Sequence, residues 1–290
     1  MKPAPFKYVR ASSLDHALSV KAEYGDEARF LAGGQSLIPS MNFRLARPAV
    51  LIDINGLAEL ASVDLSGETR LGALTRYASL ERNGAFLKAC PLIAEALPHI
   101  AHPQIRNRGT IGGNLSHADP ASELPAVALA MQARIRLKSS RGERELGASE
   151  FFVGILTTDI GPDEMLAEIV FPPPPPSTGT CFMEVARRRG DFALAGVVAI
   201  VSLDEEGCCT SIRVALCGVG DTPVDASAAA ASLIRQRCTD QAIEAVAADV
   251  QRAIAPPGNV HASADYQRHV AGVLTRRTIA AAHQRAAHAA

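Results

Sequence analysis

Two five-residue segments, Ala32-Gly33-Gly34-Gln35-Ser36 and Thr110-Ile111-Gly112-Gly113-Asn114, hold the residue types from which a phosphate-binding backbone is built. Each sets two residues without a Cβ beside small hydroxyl or amide side chains, so the chain can wrap closely round an anion and offer it N–H donors. One Gly-Gly pair alone reads as a tight turn. Two pairs of the same chemistry point to a pyrophosphate clamp. The first follows an apolar, strand-like run at 28–32, which puts Gly33 and Gly34 at a strand exit. The second is reached through Arg106-Asn107-Arg108-Gly109. These arginines either add attraction for an anion or are solvated and salt-bridged elsewhere.

Other reactive constellations do not emerge from the spacing. Cys90, Cys181, Cys208, Cys209, Cys217 and Cys238 contain no C-x-x-C pair, so neither a zinc site nor an iron-sulfur cluster is expected. His99 and His102 could share a helix face, but no third metal ligand is in register. No Ser-His or Cys-His arrangement marks a nucleophile, and no catalytic acid or base is assigned. Gly218-Val219-Gly220-Asp221-Thr222-Pro223 has the outline of a dinucleotide fingerprint, but it ends in proline and opens no helix, which argues against a Rossmann reading.

A net charge of -1 without a basic block argues against nucleic acid as a partner, and Arg187-Arg188-Arg189 is too short to change that. The first seven residues lack the apolar stretch of a signal peptide, and the longest apolar run, near 193–203, is too short to span a bilayer. A cytoplasmic protein without a transmembrane segment, or one carried by a partner, is expected.

The elements that must position the glycines follow from periodicity and punctuation. A strand at 6–10, a helix with apolar face Leu14, Ala17, Leu18 and Ala22 ended by Gly25, a strand near 30, a helix at 39–45 and a strand at 50–54 make a βαβ-like unit. A second unit has strands at 69–73, 134–138, 143–146 and 166–171, and helices at 75–81, 91–100 and 123–133, the last alanine-rich and buried. Five consecutive prolines, 172–176, must be extended and mark a domain boundary. Beyond them, strands at 195–203 and 211–216 and helices at 226–235, 241–254 and 264–282 predict an α+β layer. The expected domains are 1–176, with subdomains of about 1–56 and 57–176, and 177–290.

Across essentially its whole length the chain resembles the FAD-binding medium subunits of the molybdenum hydroxylases, the group of carbon monoxide dehydrogenase and xanthine dehydrogenase. The likeness is carried by AGGQSLIPSMNFRLARPAVLIDIN and HPQIRNRGTIGGNLSHADPASELPAVALAM, and beyond the prolines by RRRGDFALAGVVA, CGVGDTP and ADYQRHVAGVLTRR. The resemblance implies an α+β protein: an FAD-binding domain of the p-cresol methylhydroxylase type, built of two α/β subdomains, then an α+β domain of the carbon monoxide dehydrogenase flavoprotein type. It implies that Ala32, Gly33, Gly34, Gln35 and Ser36, flanked by Leu31 and Leu37, and Thr110, Ile111, Gly112, Gly113 and Asn114 are two loops holding the FAD pyrophosphate. Ile100 lies where an apolar side chain packs near the flavin, Asp119 and Glu123 where relatives direct polar groups to the cofactor, and Leu166 in a segment that meets the isoalloxazine.

One position departs from the family pattern. Many relatives carry a lysine shortly before the paired arginines, where this chain has Glu184. A carboxylate facing the flavin would lower its potential; Glu184 could equally turn to solvent or pair with Arg187. The resemblance further implies an electron-transfer subunit partnered by a molybdopterin-binding large subunit and a [2Fe-2S] small subunit, with NAD or another oxidant as acceptor. The alternatives are a stand-alone FAD oxidase or reductase, or a flavin-free assembly subunit.

Overall fold

Among the described residues there are four sheets, one of them only the two-stranded pair Phe152–Gly154 and Thr157–Thr158, and the three larger ones with their helices frame both glycine segments. The structure is a computed structural model and describes residues 2–289. In the first sheet, Val50–Asp53 lies between Lys7–Arg10 and Ala28–Leu31 and pairs with both in parallel. The connecting helix, Leu14–Tyr24, is set by local chemistry: Ser13 Oγ accepts the His16 N–H at 3.1 Å at one end, and Gly25 caps the other. Lys21 is buried, and its Nζ donates to the carbonyls of Gly25 at 2.8 Å and Ala28 at 2.9 Å. It ties the helix end to the next strand, at the cost of desolvation that lowers its pKa to about 8. The helix expected at 39–45 forms earlier, over Leu37–Asn42, because the backbone leaves the helical region at Arg44, with φ 60°.

The second sheet is antiparallel, in the order Val63–Asp64, Thr69–Gly72, Met165–Phe171, Arg134–Ser139, Gly142–Gly147. Its central strand is the last in sequence, so the intervening helices are closed into one unit. Glu123–Ala130 is buried at every position, as suits a helix apolar on all sides. The helix expected at 91–100 breaks: Pro91–Ala96 is α-helical, and Pro98 lies in the tighter turn Leu97–His99.

The third sheet is also antiparallel, running Thr178–Ala186, Ala193–Leu203, Cys209–Cys217, Val224–Asp225. Its first strand was not expected, because Gly179 and Glu184 interrupt the apolar pattern. Gly179 is required there by packing: a Cβ would strike the backbone of Ala282 in the final helix, Ala264–Ala289. One face of the sheet meets that helix and the other meets Pro91–Ala96 and Glu123–Ala130. Consequently Phe182, Val198 and Cys217, beyond the prolines, share one apolar core with Leu97, Leu124 and Ile135 before them.

Candidate cofactor site

The first glycine segment leaves the strand Ala28–Leu31 and turns into the helix Leu37–Asn42. Gly34 takes φ 72°, a left-handed backbone that glycine reaches at little cost. The N–H groups of Gly33, Gly34, Gln35 and Ser36 have no acceptor among the described residues. Backbone donors are almost always paired, so four consecutive free ones beside a left-handed glycine form the kind of nest that receives an anion. The Gln35 side chain donates to Gly33 O at 3.1 Å and closes the loop on itself.

The second segment is not the loop that was expected. Thr110 is the N-cap of the helix Ile111–His117, accepting the Gly113 N–H at 3.1 Å. The N–H groups of Ile111, Gly112 and Asn114 go to Thr75 O, Ala73 O and Thr110 O at 2.9–3.0 Å. These donors are therefore engaged within the fold, and a capping threonine three residues before Gly113 was the overlooked signal. What this segment supplies is close approach. A Cβ on Gly112 would lie 2.5 Å from Ala73 Cβ, and one on exposed Gly113 would lie 4.0 Å from Ala32 Cβ.

Gly33 completes the meeting of the two segments: a Cβ there would sit 2.5 Å from Arg108 O and 2.9 Å from Gly109 Cα. Two residues that sequence reading passed over lock this contact. Asn55 Nδ2 donates to Leu31 O at 3.1 Å and Ala32 O at 2.9 Å, holding the first segment. Arg76 donates to Asn55 Oδ1 at 2.5 Å and also to Arg108 O, reaching the second. Of the two arginines before the second segment, Arg106 is salt-bridged to Glu81 at 2.9 Å and donates to the carbonyls of Ile100 and Ala101, while Arg108 is exposed.

The remaining expected residues divide. Ile100 and Leu166 are buried in one apolar core. Asp119 is partly buried and accepts the Ala121 N–H at 2.9 Å, shaping the turn before the helix Glu123–Ala130. Ser122 Oγ exchanges hydrogen bonds with Asn114 at 2.8 and 3.0 Å and reaches Glu123 Oε2 at 3.5 Å. Glu123 is 5% exposed, and burial, reinforced by the charge of Glu184, raises its pKa to about 7.

Of the orientations weighed for it, Glu184 takes the inward one, and neither turns to solvent nor pairs with Arg187. Its side chain is buried, and Oε1 lies 3.1 Å from His99 Nδ1, while Arg187 pairs with Asp191 at 3.3 Å. Glu184 belongs to the strand Thr178–Ala186 and points into the molecule, whereas Arg187 lies beyond the strand's end. The hydrogen bond to Glu184 raises the His99 pKa, and the Phe182 ring meets His99 edge-on at 5.3 Å.

Against known proteins, the FAD binding domain of molybdopterin dehydrogenases matches residues 4–174, and the CO dehydrogenase flavoprotein C-terminal domain matches residues 180–282. This chain belongs to the molybdopterin dehydrogenase flavoproteins. It is 42% identical over 287 residues to the 6-hydroxypseudooxynicotine dehydrogenase complex subunit alpha of Paenarthrobacter nicotinovorans, covering 99% of this chain and 97% of that one. Carbon monoxide dehydrogenase from Hydrogenophaga pseudoflava superposes with a TM-score of 0.94 at 35% identity, covering 98% of this chain and 99% of that one. Quinoline 2-oxidoreductase from Pseudomonas putida 86 superposes at 0.93 and 33% identity, with 99% of both chains covered.

As a molybdopterin dehydrogenase flavoprotein, the chain is an FAD-binding electron-transfer component of an oxidoreductase. Its residues fit that cofactor: four N–H groups without an acceptor among the described residues surround Gly34, and exposed Gly113 carries no side chain on the face turned to Ala32, where a Cβ would also meet Thr110 Oγ1 at 2.7 Å. Among the described residues no helix is long and apolar enough to cross a membrane.

Proposed function

We propose that the FAD pyrophosphate lies between the two glycine segments, held by Leu31, Ala32, Gly33, Gly34, Gln35, Ser36 and Leu37 on one side and by Thr110, Ile111, Gly112, Gly113 and Asn114 on the other. Ile100, Asp119, Glu123 and Leu166 shape the remainder of the site. The observation that carries this reading is the backbone contact of Gly33 on Arg108 and Gly109, which sets the free donors of the first segment beside the helix N-terminus of the second.

FAD, when bound, accepts electrons singly and passes them on singly or as a pair. The protein binds and orients it: Asn55 and Arg76 hold the two segments in register, and the apolar packing of Ile100 and Leu166 excludes water. No side chain of this chain need attack or deprotonate a substrate. The proposed assembly has a [2Fe-2S] small subunit delivering electrons from a molybdopterin-binding large subunit, NAD or another oxidant accepting them, and a cytoplasmic location. Residues 1–176 form its cofactor domain and 177–290 its second domain.

Purification decides among the readings. The full chain should be yellow, release FAD on denaturation, and co-purify with a large molybdopterin protein and a small iron-sulfur protein. A monomer that oxidises an organic substrate unaided would identify a stand-alone oxidase. Assembly without flavin would identify a structural subunit.

A further inference from the structure

Three elements bring titratable groups to the edge of one apolar core: Glu123 opens the helix Glu123–Ala130, His99 ends the turn Leu97–His99, and Glu184 lies on the strand Thr178–Ala186, with Leu124, Leu97 and Phe182 beside them in that core. Glu184 Oε1 is taken by His99, but Oε2 is buried and has no hydrogen-bond partner among the described residues. The other titratable or charged groups that act on the cluster are Tyr77, Cys217 and Arg189. Burial raises both Tyr77 and Cys217, which keeps them neutral, and Arg189 bears on His99. The interior thus holds two carboxyls against one imidazole. Neighbouring carboxyl groups in a dry pocket do not both ionise readily, and one retains a proton. The cluster also has a polar route out of the core, from Glu123 Oε2 through Ser122 Oγ to Asn114, a residue of the second glycine segment.

We propose that Glu123, buried at the inner end of the hydrogen-bond chain through Ser122 to Asn114, is a proton store for the cofactor site, filled or emptied in step with the charge at the FAD position proposed above. When electrons arrive through the chain's established transfer, the added negative charge draws one proton from water onto a Glu123 carboxylate oxygen, forming an O–H bond. When they leave, that bond breaks and the proton returns to water. No protein group is oxidised or reduced. The coupling rests on the FAD placement proposed above; the store itself does not.

The test uses the full chain in two states. Without FAD, infrared titration should show the C=O band of a protonated carboxylic acid that disappears as pH rises through neutrality and is missing from Glu123→Gln. In Glu184→Gln, the band should disappear about one pH unit lower or more, because a neighbouring charge is gone. With FAD, the midpoint potential should depend less steeply on pH in Glu123→Gln than in wild type between about pH 6 and 8. No protonated carboxyl in the wild type at about pH 6, or a band unchanged in both variants, overturns the store. Bands that behave as expected, with identical potential profiles in wild type and Glu123→Gln, overturn the coupling. A chain that shows the band but retains no FAD refutes the cofactor placement and the coupling, while the store stands.

Discussion

The guanidinium of Arg285, near the end of the final helix, grips the carboxylate of Glu95, 190 residues earlier, through contacts of 2.8 and 2.9 Å. Glu95 also accepts the Phe182 N–H at 3.0 Å, and Arg285 donates to Thr180 O at 2.5 Å. One ion pair therefore stitches the helix Pro91–Ala96, the strand Thr178–Ala186 and the final helix together. Arg285→Met should cost about 1.5–3 kcal/mol, the usual contribution of hydrogen bonds to a charged group. Urea unfolding measures the loss, and hydrogen exchange should speed up first in the final helix.

Gly33 faces backbone atoms that have no rotamer with which to retreat. Gly33→Val should force the two glycine segments apart and lower FAD affinity by about tenfold or more, equivalent to roughly 1.4 kcal/mol or more. Flavin fluorescence on titration with FAD checks it. Gly67→Ala is the control, since nothing lies within 4 Å of the added carbon, and it should leave the affinity unchanged.

Asn55 spans the first segment and Arg76 links it to the second. Asn55→Ala removes donors from two carbonyls and an acceptor from Arg76, at a cost of about 1–3 kcal/mol divided between stability and cofactor affinity. Thermal unfolding with and without FAD separates the two: the gap between the melting temperatures should narrow in the variant.

The pH dependence of stability carries the signature of Glu123. Its folded pKa, about 7, lies above the ordinary value of 4.5, so the native state binds more protons than the unfolded state in the interval between. Stability is then greatest below the unfolded pKa and falls as pH rises through the folded one, by roughly 3 kcal/mol for a shift of this size. His99, also raised, acts in the same direction. Denaturant titrations of the FAD-free chain at pH values on either side of neutrality should show this fall, and Glu123→Gln should flatten it.

Legibility in the sequence followed range. The helix Leu14–Tyr24 was readable because Ser13 and Gly25 decide its ends within a few residues, and the buried helix beginning at Glu123 because its composition is apolar throughout. The segment opened by Thr110 was expected as a loop because a capping threonine and a phosphate loop use the same small polar residues, and only the bond to the Gly113 N–H shows the helix start. The strand Thr178–Ala186 was missed because its alternation is broken by the residues it contributes elsewhere: Gly179 to the final helix and Glu184 to His99.

The amino-acid sequence by itself determined the family, the cofactor and the two glycine segments, since each is written in contiguous residues whose chemistry needs no distant partner. Only the tertiary structure decided that Gly33 rests on Arg108, that Asn55 and Arg76 fasten the two segments, and that Glu184 turns inward to His99 near Glu123. Those outcomes depend on burial and on contacts between remote parts of the chain. Desolvation and pairing acquire their sign and size only when the fold has removed water from the groups involved.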